Sequence, residues 1–245
     1  MYSRDVSGIL CESLMISITH NGPESIRLGV VAAENMDVRK CPIEVESRLD
    51  RVLKSRRGGL VEEEDAWRRS VRDILRNGRY KPTGRGKPAS EYLLRAASED
   101  AFPRINAIVD ICNYISLYSL MPVSIWDIDR ARTHRFVVRL GREDESYAFN
   151  DAQQSIALRD LVIGCGIDGN DPLGVPLVSP IKDSVKTKTS DRSRNVAAIV
   201  YAPLTDGPMG SLEEIVTEFR VLLAMCGEDA HASEAIVLSG ETVGI

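Results

Sequence analysis

Apolar positions along the chain follow two periods, and the alternation between them predicts a mixture of strands and helices. Short runs rich in β-branched residues predict strands at 14–19, 26–33, 136–140, 146–149, 160–165, 174–178 and 196–202. Apolar residues at helical spacing predict helices that follow Pro42, span 63–76, 90–98 and 104–120, and follow Ser211. Strands 136–140 and 146–149 are expected to form a hairpin around residues 141–145. The pattern predicts an α+β fold of mixed or antiparallel sheets with packed helices.

Two of these helices have recognisable starts. Pro42 suits the first turn of a helix, on which Ile43, Leu49, Val52 and Leu53 are expected to share one buried face. Ser211 and Glu214 have the spacing of a capping box, and Gly227 ends the helix that they begin.

The helix predicted over 104–120 is apolar on nearly every side. Ile105, Ile108, Val109, Cys112 and Ile115 form one face, and Ile111, Leu117 and Leu120 extend the apolar surface to the opposite side. Asn106, Asp110 and Asn113 interrupt this surface at spacings of four and three residues, so they form one polar stripe. Buried polar groups need partners, and the stripe therefore either pins neighbouring loops such as 124–129 or forms the floor of a pocket.

Composition and charge narrow the class of protein. The chain has 245 residues, is 43% apolar and carries a net charge of -5. We expect a single domain over 1–245, with a core at about 26–226 and a peripheral N-terminal arm (1–13) and C-terminal tail (228–245). The five cysteines are scattered without a CxxC pair, which predicts reduced thiols, and the cysteines and histidines lack the spacing of metal ligands, so no metal site is expected. We also expect no cofactor. With no membrane-length apolar run and no signal peptide, we predict a cytoplasmic protein.

Two stretches of the chain are rich in Lys and Arg, although its net charge is negative. The second combines Lys182, Lys186 and Lys188 with the hydroxyls of Ser184 and Thr187, a set that suits phosphate oxygens. The first runs from 68 to 87 and is interpreted mainly as a solvated face. Its segment 84–87 lacks the spacing of a phosphate-binding loop.

The segment 103–113, Pro-Arg-Ile-Asn-Ala-Ile-Val-Asp-Ile-Cys-Asn, resembles the P-R-I-N-x-x-V-D-x-x-N signature of B3/B4 domains. Further similar pieces follow the family's order: 90–95 an upstream helix, 121–129 a Pro-Val-x-x-x-Asp-x-Asp turn, 137–139 a strand, and 182–187 a basic Arg-x-Ser-x-x-Thr stretch. The resemblance covers about 26–226. These domains form the editing module of the phenylalanyl-tRNA synthetase beta subunit and also occur as freestanding proteins.

The resemblance implies a pocket that receives the 3′ end of a mischarged tRNA and hydrolyses the ester of a wrong amino acid. Asn106, Asp110, Asn113, Ser124 and Asp127 are then expected to bind the substrate, and no nucleophile or other catalytic residue is assigned. Bacterial synthetases carry a histidine and a glutamate at two positions of this site. In the synthetase the wrong amino acid is tyrosine. Here Ser124 and Ile199 stand in the places of the histidine and the glutamate, which puts specificity for tyrosine in doubt.

Three functions follow from these observations. The first is a trans-acting hydrolase of mischarged aminoacyl-tRNA, with tRNA and an aminoacyl ester or amino acid as partners and without DNA or membrane partners. The second is a non-catalytic module that binds tRNA or an amino acid. The third is an enzyme that has reused the pocket for a small anionic metabolite.

Overall fold

The computed structural model describes residues 15–169, 171–239 and 242–244. The strands are β1 Ser17–His20, β2 Ile26–Glu34, β3 Val123–Asp127, β4 Arg135–Leu140, β5 Ser146–Ala148, β6 Ser155–Ala157, β7 Val162–Gly166, β8 Val175–Val178, β9 Val196–Pro203, β10 His231–Ala232, β11 Ile236–Leu238 and β12 Thr242–Gly244. The helices are α1 Ile43–Arg56, α2 Glu62–Asp73, α3 Ala89–Ser98, α4 Ala107–Ser119, α5 Ile128–Ala131 and α6 Leu212–Ala224.

The strands form two larger sheets and one small hairpin. The first sheet has the order β12-β1-β4-β7-β8, and within it β1 and β4 are parallel. The second has the order β10-β2-β9-β3, with β11 also pairing with β2. The small hairpin joins β5 to β6. The helices, together with sheets that contain both parallel and antiparallel strand pairs, confirm the predicted α+β class.

Strand β9 shows how the layers are held together, because it is buried on both faces. Val196, Ala198 and Val200 point to a core shared with the helices. Ala197, Ile199 and Tyr201 alternate with them and point to a second core shared with the first sheet. This two-residue period places the second sheet between a helical layer and the first sheet.

Helix α6 packs closely on β2 at Gly29. A Cβ atom at this position would lie 2.1 Å from Cγ2 of Val216 and 3.0 Å from Cδ1 of Leu212. Only a residue without a side chain permits this approach.

Several details differ from the prediction. The hairpin is wrong: β4 pairs with β1 and β7, while β5 pairs with β6, a strand that the sequence did not suggest. Ile43 and Ile105 were placed on buried faces but are 66% and 63% exposed. Ile105 precedes the start of α4, so helical spacing does not apply to it. Residue 14 of the first predicted strand and the arm 1–13 lie outside the described residues.

The C-terminal tail, expected to be peripheral, takes part in both larger sheets. Strands β10 and β11 pair with β2, and β12 pairs with β1. These strands have only two or three residues, so an alternating pattern cannot be recognised in the sequence. They are strands because their backbones pair with β1 or β2.

Candidate functional site

The N-terminus of α4 accounts for two members of the polar stripe. Asn106 is the N-cap, and its side-chain oxygen accepts the N–H of Val109 at 3.0 Å. Asp110 is 5% exposed, and its Oδ1 accepts the N–H of Ile105 at 2.9 Å. Burial raises the pKa of Asp110, and the hydrogen bond from Ile105 opposes that rise. Both side chains therefore hold the chain at the start of the helix.

The third member of the stripe has a different environment. Asn113 is half-buried and lines a cavity of about 230 Å³ together with Lys182. The other lining residues are mostly apolar: Ala89, Tyr92, Leu93, Cys112, Ser116, Val123 and Ile181. Within the described residues, the side-chain amide of Asn113 makes no hydrogen bond. We call this cavity the Asn113 cleft; it joins the signature helix to the second basic stretch.

Ser124 lies completely buried on β3 and fixes the β8–β9 loop, residues 179–195. Its hydroxyl donates to the carbonyl of Ser179 at 3.1 Å and accepts from the Tyr201 hydroxyl at 3.3 Å. Ser124 is also the cross-strand neighbour of Ile199, and both are 0% exposed. The two positions at which the family's histidine and glutamate were expected are therefore adjacent and sealed from solvent.

Asp127 fixes the far end of the same loop. Its Oδ2 accepts the hydroxyl of Ser193 at 2.6 Å, and its backbone N–H donates to the carbonyl of Thr187 at 2.9 Å. Its Oδ1 caps α5 by accepting the N–H of Arg130 at 2.9 Å. Both oxygens of the Asp127 carboxylate thus accept hydrogen bonds within the protein, and the residue is only 4% exposed.

The predicted phosphate contacts divide into two groups. Lys186 and Lys188 are exposed, and Lys182 is half-buried. Ser184 and Thr187 are each 1% exposed, so their hydroxyls do not reach a phosphate at the surface. The reason is the anchoring of the loop, which turns these two side chains inward while the lysines point outward.

Asp183 is a residue that sequence reasoning missed. Its Oδ1 accepts the N–H of Ser179 at 3.2 Å, so the carboxyl group faces inward although part of the residue reaches the surface. Burial raises its pKa to about 7, and the neighbouring Ser124 hydroxyl and the N–H groups of Ser179 and Ile125 partly oppose that rise. In the sequence, the only sign of this residue's role was its position as an acid between Lys182 and Lys186.

The first basic stretch is largely neutralised. Glu91 on α3 accepts hydrogen bonds from Nε and Nη2 of Arg72 and lies 3.2 Å from Arg68 and 3.7 Å from Lys87. Asp65 adds a second partner for Arg68 at 2.6 Å. The helical part of this stretch is therefore held by partly buried ion pairs, whereas the sequence predicted charges that face water.

The described residues contain neither a cluster of metal ligands nor a membrane-spanning helix. Among the described residues, no three His, Cys, Asp or Glu side chains come together as metal ligands. None of the helices in that part of the chain combines the length and the apolar character needed to cross a bilayer.

The part of the chain that contains these residues is similar to proteins of a known family. Residues 81–203, about half of the chain, match the family model of the B3/4 domain, and all ten predicted site residues lie in that stretch. Phenylalanine--tRNA ligase beta subunits from Streptococcus pyogenes serotypes M3 and M18 are each 32% identical over 78 residues, or 31% of this chain. The match spans only 10% of those relatives.

A solved structure is also similar. The N-terminal fragment of the phenylalanyl-tRNA synthetase beta-subunit from Pyrococcus horikoshii is 9% identical, with a TM-score of 0.38. That alignment covers 88% of this chain and 49% of the fragment. The family match over 81–203, which includes the signature helix and the β8–β9 loop, shows that this chain belongs to the B3/4 domain family.

Proposed function

We propose that this protein binds the 3′ end of an aminoacyl-tRNA and hydrolyses the ester of a mischarged amino acid in trans. The observation that carries the proposal is the meeting of Asn113 and Lys182 on one cleft of about 230 Å³. Membership of the B3/4 family supports a role related to tRNA synthetases, because its relatives are named phenylalanine--tRNA ligases.

The walls of the Asn113 cleft fit an aminoacyl group. Leu93, Val123 and Ile181 give it an apolar lining suited to the side chain of an amino acid. The Asn113 amide and the Lys182 ammonium supply hydrogen-bond donors for the ester carbonyl. The exposed Lys186 and Lys188 extend the positive charge along the β8–β9 loop, where the phosphates of the tRNA would lie.

The proposed chemistry requires positioning more than a nucleophilic side chain. A water oxygen attacks the carbonyl carbon, negative charge builds on the carbonyl oxygen, and the bond to the ribose oxygen breaks. The amino acid leaves as a carboxylate; of the two protons of the water, one goes to the ribose oxygen and the other to solvent. Lys182 and Asn113 would stabilise the developing oxyanion, an effect that reaches about 100- to 1000-fold per donor in other hydrolases.

A panel of tRNAs charged with wrong radiolabelled amino acids tests the proposal. We expect the wild-type protein to release at least one amino acid faster than buffer does, with kcat/KM at least tenfold lower in Lys182→Ala and Asn113→Ala. Lys40→Ala is the matched control, because Lys40 is exposed and lies outside the cleft. Equal activity in all three variants would contradict the assignment of the cleft.

A second function, a non-catalytic tRNA-binding module, is favoured by the sealed pair Ser124 and Ile199. Filter binding over a salt series separates the two functions. Tight binding with a steep salt dependence, but no release of any amino acid, supports the binding module. If the protein neither binds tRNA nor releases an amino acid, both functions are rejected.

A further inference from the structure

A second and larger cavity adjoins the Asn113 cleft. It has a volume of about 670 Å³ and lies between the 80–86 loop and the β5–β6 hairpin. Tyr80, Arg85, Phe149, Gln154, Ser155 and Lys182 line it. We call it the Arg85 cavity. Because Lys182 also lines the Asn113 cleft, the two cavities meet at this side chain.

The charge of the Arg85 cavity is positive and uncompensated. No acidic residue lines it. Arg85 is exposed, and neither it nor Lys182 has a carboxylate partner within the described residues. A cavity of about 450 Å³ near Glu91 shows the opposite arrangement, because its cations Arg56 and Arg95 pair with glutamates at 2.6 and 2.8 Å. Free cations on a concave surface attract an anion, and paired ones do so far less.

The Lys182 ammonium and the backbone turn that carries Arg85 are held in place before any ligand arrives. The Lys182 ammonium lies 3.8 Å from the centre of the Phe149 ring, within cation–π distance. The Tyr80 hydroxyl donates to the carbonyl of Gly86 at 2.7 Å, and the Tyr92 hydroxyl donates to that of Gly84 at 3.2 Å. Two tyrosines therefore anchor the turn that carries Arg85, which lowers the entropy lost when a ligand binds.

The other residues that line the Arg85 cavity indicate which chemical groups the ligand carries besides its negative charge. Tyr80, Phe149 and Ile156 provide aromatic and apolar surface, and Gln154 and Ser155 provide polar groups at the rim. Two cations suit a phosphate, aromatic surface suits a nucleobase, and the polar rim suits ribose hydroxyls. The volume falls within the range of about 300–1000 Å³ that is usual for small-molecule sites.

We infer that the Arg85 cavity binds a nucleoside monophosphate, either as a free nucleotide or as the terminal nucleotide of an RNA. If the ligand is an RNA end, this inference rests on the proposed function, since Lys182 would stand between the nucleotide and the aminoacyl group in the Asn113 cleft. The segment 84–87 then binds phosphate through the Arg85 side chain, without the geometry of a phosphate-binding loop.

Calorimetric titration of the full chain with 5′-AMP, adenosine and inorganic phosphate tests the inference. We expect 5′-AMP to bind at least about tenfold more tightly than either fragment, because it engages the cations and the aromatic wall together. Equal affinity for phosphate and 5′-AMP would reduce the cavity to a simple anion site and overturn the inference. No binding of 5′-AMP would also overturn it.

Two variants assign the binding to this cavity. Arg85→Ala should weaken 5′-AMP about tenfold and leave adenosine unchanged, whereas Arg192→Ala removes an exposed charge outside the cavity and should change neither. Phe149→Leu should weaken both ligands, because it removes the ring and keeps apolar volume. Identical affinities in Arg85→Ala and Arg192→Ala would locate the nucleotide elsewhere.

Competition identifies the source of the nucleotide. A five-nucleotide RNA that displaces 5′-AMP assigns the cavity to an RNA end, and an RNA that does not displace it assigns the cavity to a free nucleotide; both results support the inference. The assay contains no ester. A failure to bind 5′-AMP therefore leaves the deacylation result for Asn113→Ala standing, and a failure of deacylation leaves the nucleotide site standing.

Discussion

Replacing Asp183 by asparagine tests whether its inward-facing carboxyl group makes the stability of the protein depend on pH. Burial raises the pKa of this carboxyl from 3.8 to about 7 in the folded protein. Between these values, the folded state holds a proton that the unfolded state has released, so the free energy of unfolding falls as pH rises. Below about pH 4 both states are protonated, and above about pH 7 both are ionised.

The size of the effect follows from the two pKa values. Each pH unit between them removes about 1.4 kcal/mol, so the carboxylate destabilises the folded protein by roughly 4 kcal/mol above pH 7. Between pH 5 and pH 8 the loss is about 2.5 kcal/mol. Part of Asp183 reaches the surface, and screening by solvent makes this figure an upper limit.

Urea unfolding at pH 5 and pH 8 measures the effect. We expect the wild-type protein to lose up to about 2.5 kcal/mol more than Asp183→Asn over this interval. Any fixed effect of the amide on hydrogen bonds to Ser124 and Ser179 is present at both pH values and cancels.

Asp191→Asn is the matched control, since Asp191 is an exposed acid of the same β8–β9 loop. Its loss between the two pH values should equal that of the wild-type protein. The reasoning is refuted if Asp183→Asn loses as much free energy of unfolding as the wild type does.

Two further predictions concern scaffold positions. Asp110→Ala should lower the free energy of unfolding by about 1–3 kcal/mol, because the N–H of Ile105 loses its partner, whereas Lys182→Ala should lower it by less than about 1 kcal/mol. Equal losses in urea unfolding would contradict this division. Gly29→Ala should cost about 1–3 kcal/mol through overlap with Val216, while Gly58→Ala, whose nearest neighbour would be 3.6 Å away, should not. Matching urea midpoints for the two would show that α6 does not approach β2 as described.

The sequence determined the class of fold and the central helix of the site. Periodicity located α1, α3, α4 and α6 within a few residues, because each has an apolar face that must be buried. The motif at 103–113 pointed to the B3/4 family, because it resembles the P-R-I-N-x-x-V-D-x-x-N signature of that family. These are properties of local spacing, and the chain carries them without its tertiary structure.

The tertiary structure decided which polar residues are available. Asn106, Asp110 and Asn113 have the same helical spacing, yet two are used at the helix start and only Asn113 reaches the cleft with Lys182. The sequence could not show this, because Lys182, which lines the cleft together with Asn113, comes from a loop about 70 residues away. Strand pairing is decided in the same way: β4 and β5 are neighbours in sequence, but long-range hydrogen bonds place them in different sheets.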